Sequence, residues 1–151
     1  MRIENSFIPV EGVGELTERR LWEAGITHWG AFYPDAVGPT TAERIESFIE
    51  EAERRLDAGD AHFFGRRFPS RSRWRLYENF REETCFLDIE TTGLSPARDA
   101  VTVVSIHRGG ETATLVRGDD LTVDRLRDEL STASLLVTFN GAQFDVPFLE
   151  S

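Results

Sequence analysis

Two acids, Asp88 and Glu90, stand inside the run Cys85-Phe86-Leu87-Asp88-Ile89-Glu90-Thr91-Thr92-Gly93-Leu94. The apolar residues read as a strand and Thr-Thr-Gly as its exit turn. Side chains two apart on a strand share a face, so both carboxylates point one way and Ile89 the other. Like charges held side by side repel unless a cation lies between them, and carboxylate oxygens are the ligands that Mg2+ and Mn2+ prefer. The plainer reading is an edge strand whose two acids are solvated. Phe86, Leu87 and Ile89, which predict a largely buried strand, weigh against it. Gly93 followed by Leu94 gives a sharp exit where a substrate can approach the backbone.

A further acid closes the segment Phe139-Asn140-Gly141-Ala142-Gln143-Phe144-Asp145. A strand ends at Phe139, Asn140-Gly141 turns the chain, and Asp145 falls at or just inside the next helix. A helix N-terminus favours a carboxylate there, and the strand ends of α/β sheets are where ligands bind. Alone, such an acid serves only its helix; beside Asp88 and Glu90 it becomes the third member of an acidic site.

The run F-L-D-I-E-T-T-G-L resembles the first motif of the DnaQ-like, ribonuclease-H-fold 3'→5' exonucleases, which use four acids in the pattern DEDD. N-G-x-x-F-D with Val146-Pro147-Phe148-Leu149 resembles the second motif, in its YprB-type form, as does the lead-in Trp74-Arg75-Leu76-Tyr77. The resemblance implies a metal-dependent 3'-5' exonuclease that hydrolyses phosphodiesters of DNA, single-stranded DNA included, or of RNA, using two Mg2+ or Mn2+ ions. In that family the acid matching Asp88 bridges both ions, the one matching Glu90 completes one site, and the one matching Asp145 supports the other. Thr91, Gly93 and Leu94 match positions that hold the terminal nucleotide, and Asn140 one that positions its backbone. The third motif, with the fourth acid and a water-orienting His or Tyr, has no counterpart up to Ser151, and His28, His62 and His107 match none of its positions. The competing reading is a non-catalytic DNA-binding module with a degenerate nuclease scaffold. A sheet cut short would also leave Phe139, Phe148 and Leu149 without cover and promote self-association.

The elements that must position these acids follow from the pattern. Residues 100–107 and 112–116 read as strands joined by a turn at Arg108-Gly109-Gly110. Residues 122–130 read as a helix, with Val123, Leu126 and Leu130 at helical spacing, and 135–139 as a short buried strand before a helix near Phe144. The predicted fold class is α/β with a partial β-β-β-α-β-α order. Other α/β sheets share that order; the resemblance selects a ribonuclease H-like mixed sheet for residues 83–151.

Residues 1–57 predict a small all-α module. Val13-Gly14-Glu15-Leu16-Thr17-Glu18-Arg19-Arg20-Leu21 aligns with Val37-Gly38-Pro39-Thr40-Thr41-Ala42-Glu43-Arg44-Ile45, each copy a glycine turn opening a helix. The pair resembles a tandem helix-hairpin-helix, in which Gly12 and Gly14 would let backbone N–H groups meet a DNA phosphate. A packing module whose glycines only make turns is the alternative. Residues 58–82 alternate arginines with aromatics. Arg66 and Arg67 could hold phosphates of a single strand; the favoured reading is that the segment wraps the acidic domain, burying its aromatics and pairing its arginines.

The 151 residues carry 27 acids against 17 basic residues, all of them arginine, for a formal net charge of −10. An acidic, lysine-free chain resembles halophilic proteins, in which concentrated salt screens charge steering to a few ångströms, so net charge does not exclude a nucleic-acid partner. The single cysteine, Cys85, lies in an apolar strand and reads as core. No run approaches the roughly 18 apolar residues of a membrane span and the first residues lack an apolar signal core, which predicts a cytoplasmic protein.

Overall fold

A computed structural model describes residues 1–150. The chain forms two compact units, Met1–Arg81 and Glu82–Ser151. No helix among the described residues is long and apolar enough to cross a membrane.

The first unit is helical. Its main elements are α1 (Glu15–Glu23), α2 (Pro39–Asp57) and α3 (Ala61–Arg67), followed by a 3-10 segment over Ser70–Leu76. Gly14 and Gly38 stand at the N-caps of α1 and α2 in extended backbone, and Pro39 takes the first helical position, where no N–H is needed. Gly25 and Gly59, both at positive φ, follow the two helices as left-handed C-terminal turns. Asp60 caps α3 by accepting from the Phe63 N–H, and that bond, with the Arg55 guanidinium beside it, holds its carboxyl below the usual range.

The segment read as a connector over 58–82 supplies much of this unit's core up to Arg81. Phe63, Phe64, Phe68, Leu76 and Phe80 are buried, and Phe63 stacks on Phe48 of α2 at 6.4 Å. Its arginines find their acids in the same unit: Arg67 pairs with Glu51, Arg71 with Glu15 and Arg75 with Glu18. Trp74, by contrast, is 61% exposed, and the acids that these arginines pair with lie on α1 and α2.

Arg75 and Glu18 form the polar centre of the unit. Glu18 is 1% exposed, and its Oε1 accepts from Ser6 Oγ (2.7 Å), Phe7 N (2.8 Å), Ile8 N (3.3 Å) and Arg75 Nη1 (2.8 Å). Arg75 Nη1 also donates to Glu18 Oε2 at 2.7 Å, and the guanidinium lies near the rings of Trp22 and Trp74. A buried charge pair is tolerated when its donors and acceptors are met; both Glu18 oxygens are, while Arg75 Nε has no hydrogen-bond partner.

The second unit is α/β. Strands β1 (Thr84–Thr91), β2 (Val101–Arg108), β3 (Glu111–Val116) and β4 (Leu135–Val137) form one mixed sheet in the order β3-β2-β1-β4, with β1 antiparallel to β2 and parallel to β4. Gly109 and Gly110, both at positive φ, make the two-residue turn between β2 and β3. Helices α4 (Val123–Leu130), capped by Thr122, and α5 (Asp145–Leu149) complete the β-β-β-α-β-α order of a ribonuclease H-like sheet. Cys85, Leu87 and Ile89 of β1 join Val104, Ile106, Leu115 and Phe148 in the core, with Leu126 and Leu130 of α4 packed against it. Phe148 is thus covered and Leu149 partly so.

Two expectations change. Phe86 is 40% exposed because it shares the face of Asp88 and Glu90, opposite the core; strand alternation wins over hydrophobicity. The last strand ends at Val137 and not at Phe139, which is 92% exposed in the loop that follows.

Because Glu18 answers four donors, Glu18→Ala should destabilise the full chain by about 3–5 kcal/mol in urea denaturation. A loss below about 1 kcal/mol would show that the pair does not hold the unit together.

Candidate metal and nucleic-acid site

β1 is a central strand, yet one of its faces is open. Phe86, Asp88 and Glu90 point from that face and all are exposed, while Cys85, Leu87 and Ile89 are buried on the other. Register with β2 places Asp88 opposite Ser105 and Glu90 opposite Val103. Asp88 lines an open groove of about 670 Å³ with Phe86, His107, Thr112, Val137 and Phe139. β1 is paired on both sides over Thr84–Phe86, whereas at Asp88 and Glu90 it pairs with β2 alone, so the acids are solvated on a stretch of strand that has only one neighbour.

Directly after Glu90 the ladder slips. Glu90 faces Val103 while Thr91 faces Val101, so Thr102 is the extra residue, and its Oγ1 donates to the Glu90 carbonyl at 3.0 Å. A bulge bends the strand and re-aims the side chains beside it. Thr91 Oγ1 then donates to the Gly93 carbonyl at 2.6 Å, turning the chain away and leaving Leu94 85% exposed.

Asp145 opens α5 and is 2% exposed, and its Oδ2 has no hydrogen-bond partner. The preceding loop is tight. Asn140 is in the left-handed region at φ 58°, its carbonyl accepts from Gln143 and Phe144 N–H, and any side chain at Gly141 would collide with Thr138. A left-handed non-glycine residue costs about 1 kcal/mol, and Asn is among the few residues that take it readily.

In donor chemistry these residues suit a hard divalent ion: two adjacent carboxylates, and a third with a buried oxygen that no protein group satisfies. Their arrangement is less complete. Among the described residues no three His, Cys, Asp or Glu side chains gather closely enough to hold a metal, so Asp88 and Glu90 are brought together and Asp145 is not grouped with them.

Of two further residues, the sequence reading matched His107 to no motif position and did not consider Asp99. His107 lies across from Phe86, ring centroids 6.4 Å apart, with Nδ1 on Thr112 Oγ1 at 2.8 Å; period-two alternation along β2 from Ser105 marks its face. Asp99 lies in the loop after β1 with its carboxylate against Gly93; nothing in its sequence neighbourhood pointed to that contact.

In the helical unit, Gly12 is at φ 85°, which favours glycine, and a Cβ there would also press on Arg44 Nη1. The first helical bond of α1 runs from Glu18 N to the Gly14 carbonyl, so the N–H groups of residues 15–17 have no acceptor within the helix. Arg67 is engaged by Glu51 and by the Phe63 ring, 4.5 Å from its guanidinium, whereas Arg66 is exposed and has no ion pair among the described residues. If both arginines touched phosphate, each alanine substitution should flatten the salt slope of oligonucleotide binding by about 0.7–0.9. The geometry favours Arg66→Ala changing the slope with little change in melting temperature, and Arg67→Ala lowering the melting temperature. An unchanged slope in both variants would remove this segment from the nucleic-acid surface.

No curated protein and no solved structure gives a match to the chain. Residues 85–151 match a family model described as RNase_H superfamily, the stretch that starts in β1 and takes in all three acids. The second unit is thus similar in sequence to that superfamily, and its four-stranded mixed sheet is consistent with that fold.

Proposed function

We propose that the second unit is a metal-dependent nuclease, and more narrowly a 3'-5' exonuclease of the YprB-type, DnaQ-like branch, acting on DNA or RNA. The observation that carries this reading is the Asp88–Glu90 pair on the open face of β1, with Asp88 lining a groove that Phe86, His107 and Phe139 also line. Asp88 and Glu90 would hold Mg2+ or Mn2+, with Asp145 as the further ligand and its unsatisfied buried oxygen as the reason to move toward a cation. When bound, two such ions supply hydroxide at neutral pH and positive charge opposite the leaving 3' oxygen.

The chain's own residues would do the rest. Two exposed carboxylates repel a phosphodiester, so this end of the strand admits substrate only with a cation present. Phe86 and Phe139 offer ring faces to a base, a contact that tolerates any sequence. Thr91, Gly93 and Leu94 would meet the terminal nucleotide, and the Asn140 turn would lie along its backbone. Gly12 and Gly14, in a helix-hairpin-helix role, would add phosphate contacts that read no sequence.

A second reading has its own observation. Among the described residues no three acids cluster, and on this reading the second unit would serve as a scaffold while the helical unit binds DNA.

A labelled single strand incubated with and without Mn2+ separates the two. Wild type should trim it from the 3' end, and Asp88→Ala should lose on the order of 100-fold or more in rate, since even outer-shell changes cost 10–100-fold. Binding without metal-dependent trimming would favour the scaffold.

Asp145 gives an independent test in melting experiments. In chelator, Asp145→Asn should match wild type in stability to within about 1 kcal/mol, because the buried Oδ2 that it replaces has no hydrogen bond to lose. Saturating Mn2+ should raise the wild-type melting point, by about 2.7 kcal/mol at a hundredfold excess over Kd. The variant should lose most of that gain; an equal gain in both would take Asp145 out of the metal site.

A further inference from the structure

Between β1 and β2 the chain makes a closed loop. At its neck Thr92 N donates to the Ala100 carbonyl (2.9 Å) and Ala100 N donates to Thr92 Oγ1 (3.0 Å). Inside it, Ser95 N donates to Asp99 Oδ2 (2.9 Å), and Asp99 N donates back to the Ser95 carbonyl (2.8 Å). A Cβ at Gly93 would lie 2.5 Å from Asp99 Oδ2 and 2.6 Å from its Cγ, so the carboxylate rests on the bare Cα of Gly93. Position 93 is not at positive φ; glycine is needed there for close approach alone. Gly93 is gripped twice, through its carbonyl by Thr91 Oγ1 and through its Cα by Asp99.

The next residue is Leu94, 85% exposed. A large apolar side chain that is fixed at its base and left in water four residues after Glu90 gains nothing for folding. Held in place, it can meet the flat face of a base without a further ordering cost at the moment of binding.

We propose that Asp99 is a positioning residue: through Ser95 and Gly93 it holds Leu94 where the terminal base of a bound strand arrives. This rests on the nuclease reading above and adds to it a residue outside the acidic motifs. Asp99 acts through its oxygen as an acceptor and through its shape, not through charge on a metal.

Asp99→Ala and Asp99→Asn, made in the full chain, test this by two readouts. In Asp99→Ala the Ser95 amide should exchange with solvent about tenfold faster or more. KM for Mn2+-dependent trimming should rise about five- to tenfold with kcat within about twofold. Asp99→Asn keeps the acceptor and should restore both. Gly93→Ala should raise KM in the wild-type background and add little to Asp99→Ala, because the collision partner is gone. Unchanged Ser95 exchange in Asp99→Ala, or an equal loss of kcat in both Asp99 variants, would overturn the proposal, the latter by making Asp99 a ligand. If wild type trims nothing, the nuclease reading fails by itself. The Kd of a 3'-ended oligonucleotide then replaces KM: a rise in Asp99→Ala that Asp99→Asn reverses sustains the loop's role, and an unchanged Kd overturns it.

Discussion

The second unit depends on strand alternation in β1. One row of its side chains, Cys85, Leu87 and Ile89, is buried in the core beneath α4 and α5, and the other, Phe86, Asp88 and Glu90, faces outward. A shift of one residue in register would drive both carboxylates into an apolar core, at a cost far beyond any hydrogen bond gained. The buried row therefore fixes where the acids point, and the bulge after Glu90 fixes where the chain goes next. The core and the candidate site are two faces of one constraint.

That constraint explains what could be read from residue types. Strands, the Gly109-Gly110 turn, the Thr122 cap and the start of α5 all follow from local periodicity and turn chemistry, which act over a few residues. The pairing of Asp88 with Glu90 was legible for the same reason. The exposure of Phe86 was not, because hydrophobicity says that a residue prefers burial and not whether the fold supplies a partner for its face. Asp99 against Gly93 was hidden as well: the contact depends on a loop closing on itself, and the only trace in sequence is a glycine whose reason is not its φ.

The helical unit shows the same limit at longer range. The glycines that open α1 and α2, and those that follow them, were readable as punctuation, but the acids that the arginines after α2 pair with were not. Arginines interleaved with aromatics state that acids and apolar surface are needed, not which ones. Glu18 decides the matter, since it meets Ser6, Phe7 and Ile8 as well as Arg75 and so ties residues 6–8, α1 and the 70–76 segment to one buried carboxylate. No pairwise pattern in the sequence carries that information.

Charge is divided between the units unequally, and this bears on how nucleic acid could be held. Met1–Arg81 contains 12 of the 17 arginines and 14 of the 27 acids, which leaves 5 arginines against 13 acids in the remainder. The helical unit is close to neutral, while the unit with the candidate carboxylates repels phosphate strongly. Several arginines of the helical unit are already committed to Glu15, Glu18 and Glu51, so its attraction rests on the rest, Arg66 among them. If the second unit is the nuclease proposed above, a divalent ion at Asp88 and Glu90 would offset this repulsion where a phosphodiester must approach. On that reading the same cation that supplies the chemistry would also lower the electrostatic cost of bringing a phosphate to an acidic unit.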